Sequence, residues 1–185
     1  MSNLNLEAVS QASSKTRGLS FEQHYVFLSG HVVFLSEPLP IFKDLMHLGK
    51  LSNEESLKLD LALQEAIANA VEHGNLELSS KLREEFDAEG RDLYAKLKEE
   101  RLKDNRYAAR LIFVSAYADD KEVKVVVRDE GNGFQVNSSE DTNILETNID
   151  LPKCSGRGLI LIRAASDAVR YNDVGNQVEF IKVFK

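Results

Sequence analysis

With 185 residues, 43% of them hydrophobic and 29% charged, the chain has the size and composition of one globular domain with a full core. Its formal net charge of −7 argues against a nucleic-acid backbone as partner, and one cysteine, Cys154, leaves no internal disulfide or thiolate metal cluster. No apolar run is long enough to span a bilayer and the first residues carry no signal-peptide core, so the expectation is a cytoplasmic protein without membrane contact.

Residues 1–20 are rich in Ser, Asn and Gln without periodicity and read as a loose tail, which places the domain at 21–185. In 21–35, Tyr25, Phe27, Val32, Val33 and Phe34 flank Ser29-Gly30 and read as two short strands or one strand with a break. After Pro38 and Pro40, residues 41–48 read as a short helix ended by Gly49. Ser52, with Glu55 three residues later, makes a capping box for the main helix.

That helix, read over 57–75, carries two apolar stripes: Leu57, Leu61, Ala68 and Val71, and Leu59, Leu63, Ala66, Ile67 and Ala70. A helix apolar on more than one face is expected to be buried. A line of polar groups nevertheless runs along it: Glu65, Asn69, Glu72 and His73. Burying a carboxylate is costly unless it is paired or used, so the line reads either as the wall of a cleft or as an ordinary solvated stripe. Within it, Glu72 reads as a surface residue.

Residues 76–108 are charged, with Leu82, Phe86, Leu93 and Leu97 at near-helical spacing, and read as an inserted layer of one or two exposed helices broken near Gly90. Residues 111–117 and 123–128 make a hairpin, and the long polar stretch 134–155 reads as a mobile loop. Gly158 opens a helix to about Asp167, a short strand is expected at 171–173, Gly175-Asn176 is a turn, and 178–184 closes the sheet. The expected class is α/β: a two-layer sandwich, one mixed and mostly antiparallel sheet covered by helices.

Two glycine-rich stretches follow the main helix. Asp129-Glu130-Gly131-Asn132-Gly133 comes directly after Val125-Val126-Val127; a carboxylate at a strand end accepts hydrogen bonds from an amino group such as that of adenine, and the glycines admit a ligand close to the backbone, although the same residues make ordinary turns. Ser155-Gly156-Arg157-Gly158 leads into an apolar helix, whose free N–H groups suit an anion. Neither a P-loop nor a dinucleotide fingerprint occurs.

Taken together and in order, Glu65-x-x-x-Asn69-Ala70-x-x-His73-Gly74, Asp129-x-Gly131-x-Gly133 and Gly156-x-Gly158 resemble the N, G1 and G2 boxes of the GHKL (histidine-kinase-like) ATPase superfamily, most closely its anti-sigma-factor serine/threonine kinases. The resemblance implies a Bergerat-type ATP-binding fold using ATP and Mg²⁺. It makes Asn69 the Mg²⁺ ligand and Glu65 the general base toward an acceptor hydroxyl. Asp129 then binds the adenine amino group, Gly131 and Gly133 shape its pocket, residues 134–155 form the ATP lid, and Gly156, Arg157 and Gly158 cradle the phosphates. His73 is placed to hydrogen-bond backbone or nucleotide, and Asn176 stands where the family often has a Thr near the adenine. The implied partners are an anti-anti-sigma-type protein substrate and a sigma factor, with no direct nucleic acid, and a homodimer is allowed. A non-catalytic ATP-dependent partner-switching module, or a detached histidine-kinase-type ATPase domain, are the alternative functions.

Overall fold

The computed structural model describes residues 9–10, 20–31, 40–133 and 156–185. Its strands are β1 (Val9–Ser10), β2 (Phe21–Leu28), β3 (Leu111–Ala118), β4 (Glu122–Asp129), β5 (Ala168–Tyr171) and β6 (Gln177–Val183). They form one sheet in the order β1-β2-β3-β4-β6-β5, every described pairing antiparallel. The helices are α1 (Pro40–His47), α2 (Asn53–Asn69), α3 (Leu93–Lys103), α4 (Asn105–Ala108) and α5 (Gly156–Ala165).

Alternation builds the sheet's inner face. Ile112, Val114, Ala116 and Ala118 of β3 are buried, as are Val123, Val125 and Val127 of β4, because successive strand residues point to opposite faces. The registers put Tyr25 opposite Val114, Val114 opposite Val127, and Val125 opposite Phe180, so four strands present one continuous apolar surface. Onto it pack Ile41, Phe42 and Leu45 of α1, Leu59, Leu63, Ala66 and Ile67 of α2, and Ile162 and Ala165 of α5. This is the two-layer sandwich expected from the sequence. No described helix is long and apolar enough to cross a membrane.

The capping box forms as read: Ser52 Oγ accepts the Glu55 N–H, and the Glu55 carboxylate accepts the Ser52 N–H at 3.0 Å. The expectation that both apolar stripes of this helix are buried is corrected. Leu57 is 59% and Leu61 43% exposed, because a helix lying on one sheet buries only the stripe that faces it. At Ala70 the helix widens into a π segment, Ala70–Asn75, in which the Leu76 N–H bonds the Val71 carbonyl.

The strand expected within 21–35 is one strand followed by a 3₁₀ turn, Ser29–His31; residues 32–35 lie outside the described residues. Val9 and Ser10, read as tail, pair with His24 and Gln23 at the sheet edge. The inserted layer consists of a 3₁₀ turn (Ser80–Glu84), a turn at Gly90, and then α3 and α4. Glu72 is not the surface residue expected: only 17% of its side chain is exposed, and it accepts hydrogen bonds from Arg83, Tyr94 and Lys98, tying the insertion to the end of the main helix. Burial works to raise the Glu72 carboxyl, but these donors and the two cations hold it below the usual range. Tyr94, sharing that bond, is pushed up by burial and by the Glu72 carboxylate.

Candidate functional site

The polar line of α2 and the two glycine stretches meet at two places. At the first, Gly158 of α5 lies on α2, and a β-carbon there would stand 2.7 Å from Glu65 Oε2 and 3.2 Å from Asn69 Nδ2. Only a residue without a side chain lets the start of α5 come this near. The Glu65 carboxylate and Asn69 carboxamide thus sit beside a helix N-terminus, where N–H groups lack intrahelical partners. Neither side chain has a hydrogen-bond partner among the described residues. A carboxamide with no partner among the described residues, beside a helix N-terminus, fits Mg²⁺ carried in on phosphate oxygens, since hard cations take oxygen ligands and Mg²⁺ commonly needs few from protein. Gly156 begins α5; the Arg157 side chain, Ser155 and the expected lid 134–155 lie outside the described residues.

At the second place, nine residues on from Glu65 and within the π segment, Gly74 faces Asp129. A β-carbon on Gly74 would lie 2.6 Å from Asp129 Oδ2, and one on Gly131 would overlap the Gly74 carbonyl. Gly133, at φ +69, passes so close to the Val174 carbonyl that no side chain fits. Asp129, at the end of β4, is 9% exposed, and its Oδ1 accepts the Gly131 N–H at 2.8 Å. Burial pushes its carboxyl up to about 6, against the pull of the Gly131 N–H, its own backbone N–H and the Arg110 charge.

Asn176 is brought beside Asp129. It exchanges backbone and side-chain bonds with it: the Asp129 N–H donates to the Asn176 carbonyl, and Asn176 Nδ2 donates to the Asp129 carbonyl at 3.1 Å. Asn172 in turn donates to Asn176 Oδ1 and accepts three backbone N–H groups of the turn, from Gly175, Asn176 and Gln177. In this arrangement Asn176 holds the strand end that carries Asp129. His73 turns away from the polar line, its Nδ1–H donating to the Leu78 carbonyl at 2.7 Å, which fastens the chain as it leaves the π segment.

Sequence reasoning missed Asn75, Glu77, Arg110 and Asn172. Asn172 has a recognisable turn chemistry; the other three act through contacts distant in sequence, which no local pattern reveals.

A buried carboxylate among close-packed glycines thus lies at one end of the polar line, and a carboxylate, an amide and a helix start lie at the other. The family model of the histidine kinase-like ATPase domain matches residues 39–182, and the chain belongs to this family. It is therefore an ATP-binding domain of the GHKL superfamily. Among curated proteins none matches the chain.

With Asp129 as the adenine contact that the family resemblance implies, its raised carboxyl predicts pH-dependent nucleotide binding. The ionised carboxylate is the stronger acceptor for an amino group, so below about pH 6 binding is opposed by protonation of Asp129. Affinity is expected to be flat above that pH and to fall below it, by at most about tenfold per pH unit. Calorimetry with adenosine, which has no titrating phosphate, measures this; an Asp129→Asn protein should lose the pH-dependent part, and parallel profiles for the two proteins would remove Asp129 from the base site.

Proposed function

We propose that the domain is a serine/threonine protein kinase of the anti-sigma-factor type, acting on a small antagonist protein and binding a regulatory partner such as a sigma factor. The observation that carries this reading is Glu65, a carboxylate without a partner among the described residues, placed beside Asn69 and the start of α5. The ending His73-Gly74 of the helix motif supports the anti-sigma type.

In this mechanism Asp129 holds the adenine amino group, with Gly131 and Gly133 leaving room for the ring. Asn69 offers its carboxamide oxygen to Mg²⁺, which supplies charge neutralisation on the phosphates when bound. Gly156, Arg157 and Gly158, with the free N–H groups of α5, hold the phosphate oxygens. Glu65 takes the proton of the acceptor Ser or Thr hydroxyl as its oxygen forms the new bond to the γ-phosphorus. The bond from that phosphorus to the bridging oxygen breaks, and ADP leaves with the electron pair.

Incubation of the full chain with Mg-ATP and candidate antagonist proteins, read by mass spectrometry, tests the reading. Acid-stable phosphate on Ser or Thr of the antagonist is the expected result. Tight Mg-ATP binding with no transfer to an authentic binding partner would favour a nucleotide-dependent partner switch, and acid-labile phosphate a histidine-kinase chemistry.

A further inference from the structure

The turn 74–77 and the loop 129–132 lie along one another through a series of matched contacts. Gly74 meets the Asp129 carboxyl and Gly131 meets the Gly74 carbonyl. Asn75 Oδ1 accepts the Glu130 N–H at 2.8 Å, and Asn132 Nδ2 donates to Glu77 Oε1 at 3.1 Å. Asn75 is completely buried, and its Nδ2 donates to Ser29 Oγ at 2.7 Å and to the Leu111 carbonyl at 2.9 Å. One carboxamide therefore ties the end of β2, the start of β3 and the loop after β4 together. The Glu130 side chain returns the tie by accepting the Leu111 N–H at 2.7 Å.

Glu77 adopts φ +50, in the left-handed region that side chains avoid. Such a conformation persists where the surroundings over-determine it. Here the fastening is Arg110, which donates to the Asn75 carbonyl at 2.7 Å and to Glu77 Oε1 at 2.8 Å, while Arg101 donates to the Leu76 carbonyl. Three consecutive residues of the turn are thus held from the inserted layer and the strand start, and two of them hold the loop that begins at Asp129.

None of these contacts is to the Asp129 side chain itself, apart from Gly74. What they fix is the backbone on which that side chain stands. A hydrogen bond weakens steeply as its distance and angle depart from the optimum, so a shifted loop weakens the bond to an amino group more than it weakens contacts to sugar or phosphate. We infer that Asn75 and Glu77, joined by Arg110, are positioning residues for base recognition, setting the preference for a purine with a 6-amino group through the placement of Asp129. The inference rests on the reading of Asp129 as the adenine contact.

The test compares the affinity of the full chain for ATP and for inosine triphosphate, which carries a carbonyl in place of that amino group. Glu77→Ala is expected to lower the ATP preference by roughly three- to tenfold, with Glu77→Gln retaining most of it because an acceptor remains for Asn132. Glu77 is part-exposed, so both proteins should fold, as thermal melting can check. Asn75→Ala should lose more of the preference. Equal weakening of both nucleotides in the Glu77→Ala protein would reduce the turn to a structural role and overturn the inference. Retention of the parental preference by Asp129→Ala, which has no side-chain acceptor, would instead overturn the base reading, whatever the Glu77 variants do.

Discussion

Glu65→Gln is expected to bind Mg-ATP as the parent does while transferring phosphate some 10²–10⁴-fold more slowly. Glutamine keeps the shape of the side chain and one of its acceptor oxygens but has no basicity. The carboxylate has no partner among the described residues, and a thermal melt of the variant checks that the fold is kept, so that a change in turnover reads the chemistry. Asn69→Ala should behave differently, losing metal-dependent nucleotide affinity as well as turnover. Calorimetry with and without Mg²⁺, beside a phosphotransfer assay on the partner protein, separates the two. A Glu65→Gln protein working at the parental rate would remove this residue from the mechanism.

Gly74→Ala is expected to destroy nucleotide binding and to destabilise the fold by about 1–3 kcal/mol, the cost of overpacking a buried contact. The sign is what makes it diagnostic. Alanine ordinarily favours a helix over glycine by about 1 kcal/mol. Here the new methyl group would stand 2.6 Å from Asp129 Oδ2, against a carboxyl held by the Gly131 N–H. The stability loss should shrink when Asp129→Ala is added, because the group in the way is gone, whereas ATP binding should stay lost. Denaturant unfolding of the two single variants and the double variant measures the coupling. An independent, additive cost would mean that Gly74 and Asp129 do not share the contact.

The hairpin of β3 and β4 was legible because alternation is a local pattern, and the capping box because its two residues are three apart. The three motifs were legible as contiguous strings. Their convergence was not. That Gly158 lies on Glu65, or Gly74 on Asp129, depends on how layers stack, which periodicity does not encode. The same limit hid Asn75, whose partners Ser29, Leu111 and Glu130 come from three separate stretches of chain. It also made Glu72 look like a solvated residue, since its cations stand eleven and twenty-six positions away. Leu57 and Leu61 misled in the opposite direction: their helical spacing matched a buried stripe, but the sheet covers only one side of α2.

The widened turn at Ala70–Asn75 puts helix economy and pocket geometry in opposition. Winding the same six residues as regular α-helix would restore ordinary bonding, a gain for the helix taken alone. It would also turn everything beyond the segment further round the axis, because a π turn takes up more residues than the 3.6 of an α turn. Gly74 would swing off the Asp129 carboxyl and Asn75 out of reach of the Glu130 N–H, while Glu65 and Asn69, upstream, stayed in place. The contacts around Gly158 would survive and those around Asp129 would not. The spare residue acts as a phase shifter: it lets one continuous helix meet the start of α5 at Glu65 and Asn69 and the end of β4 at Gly74.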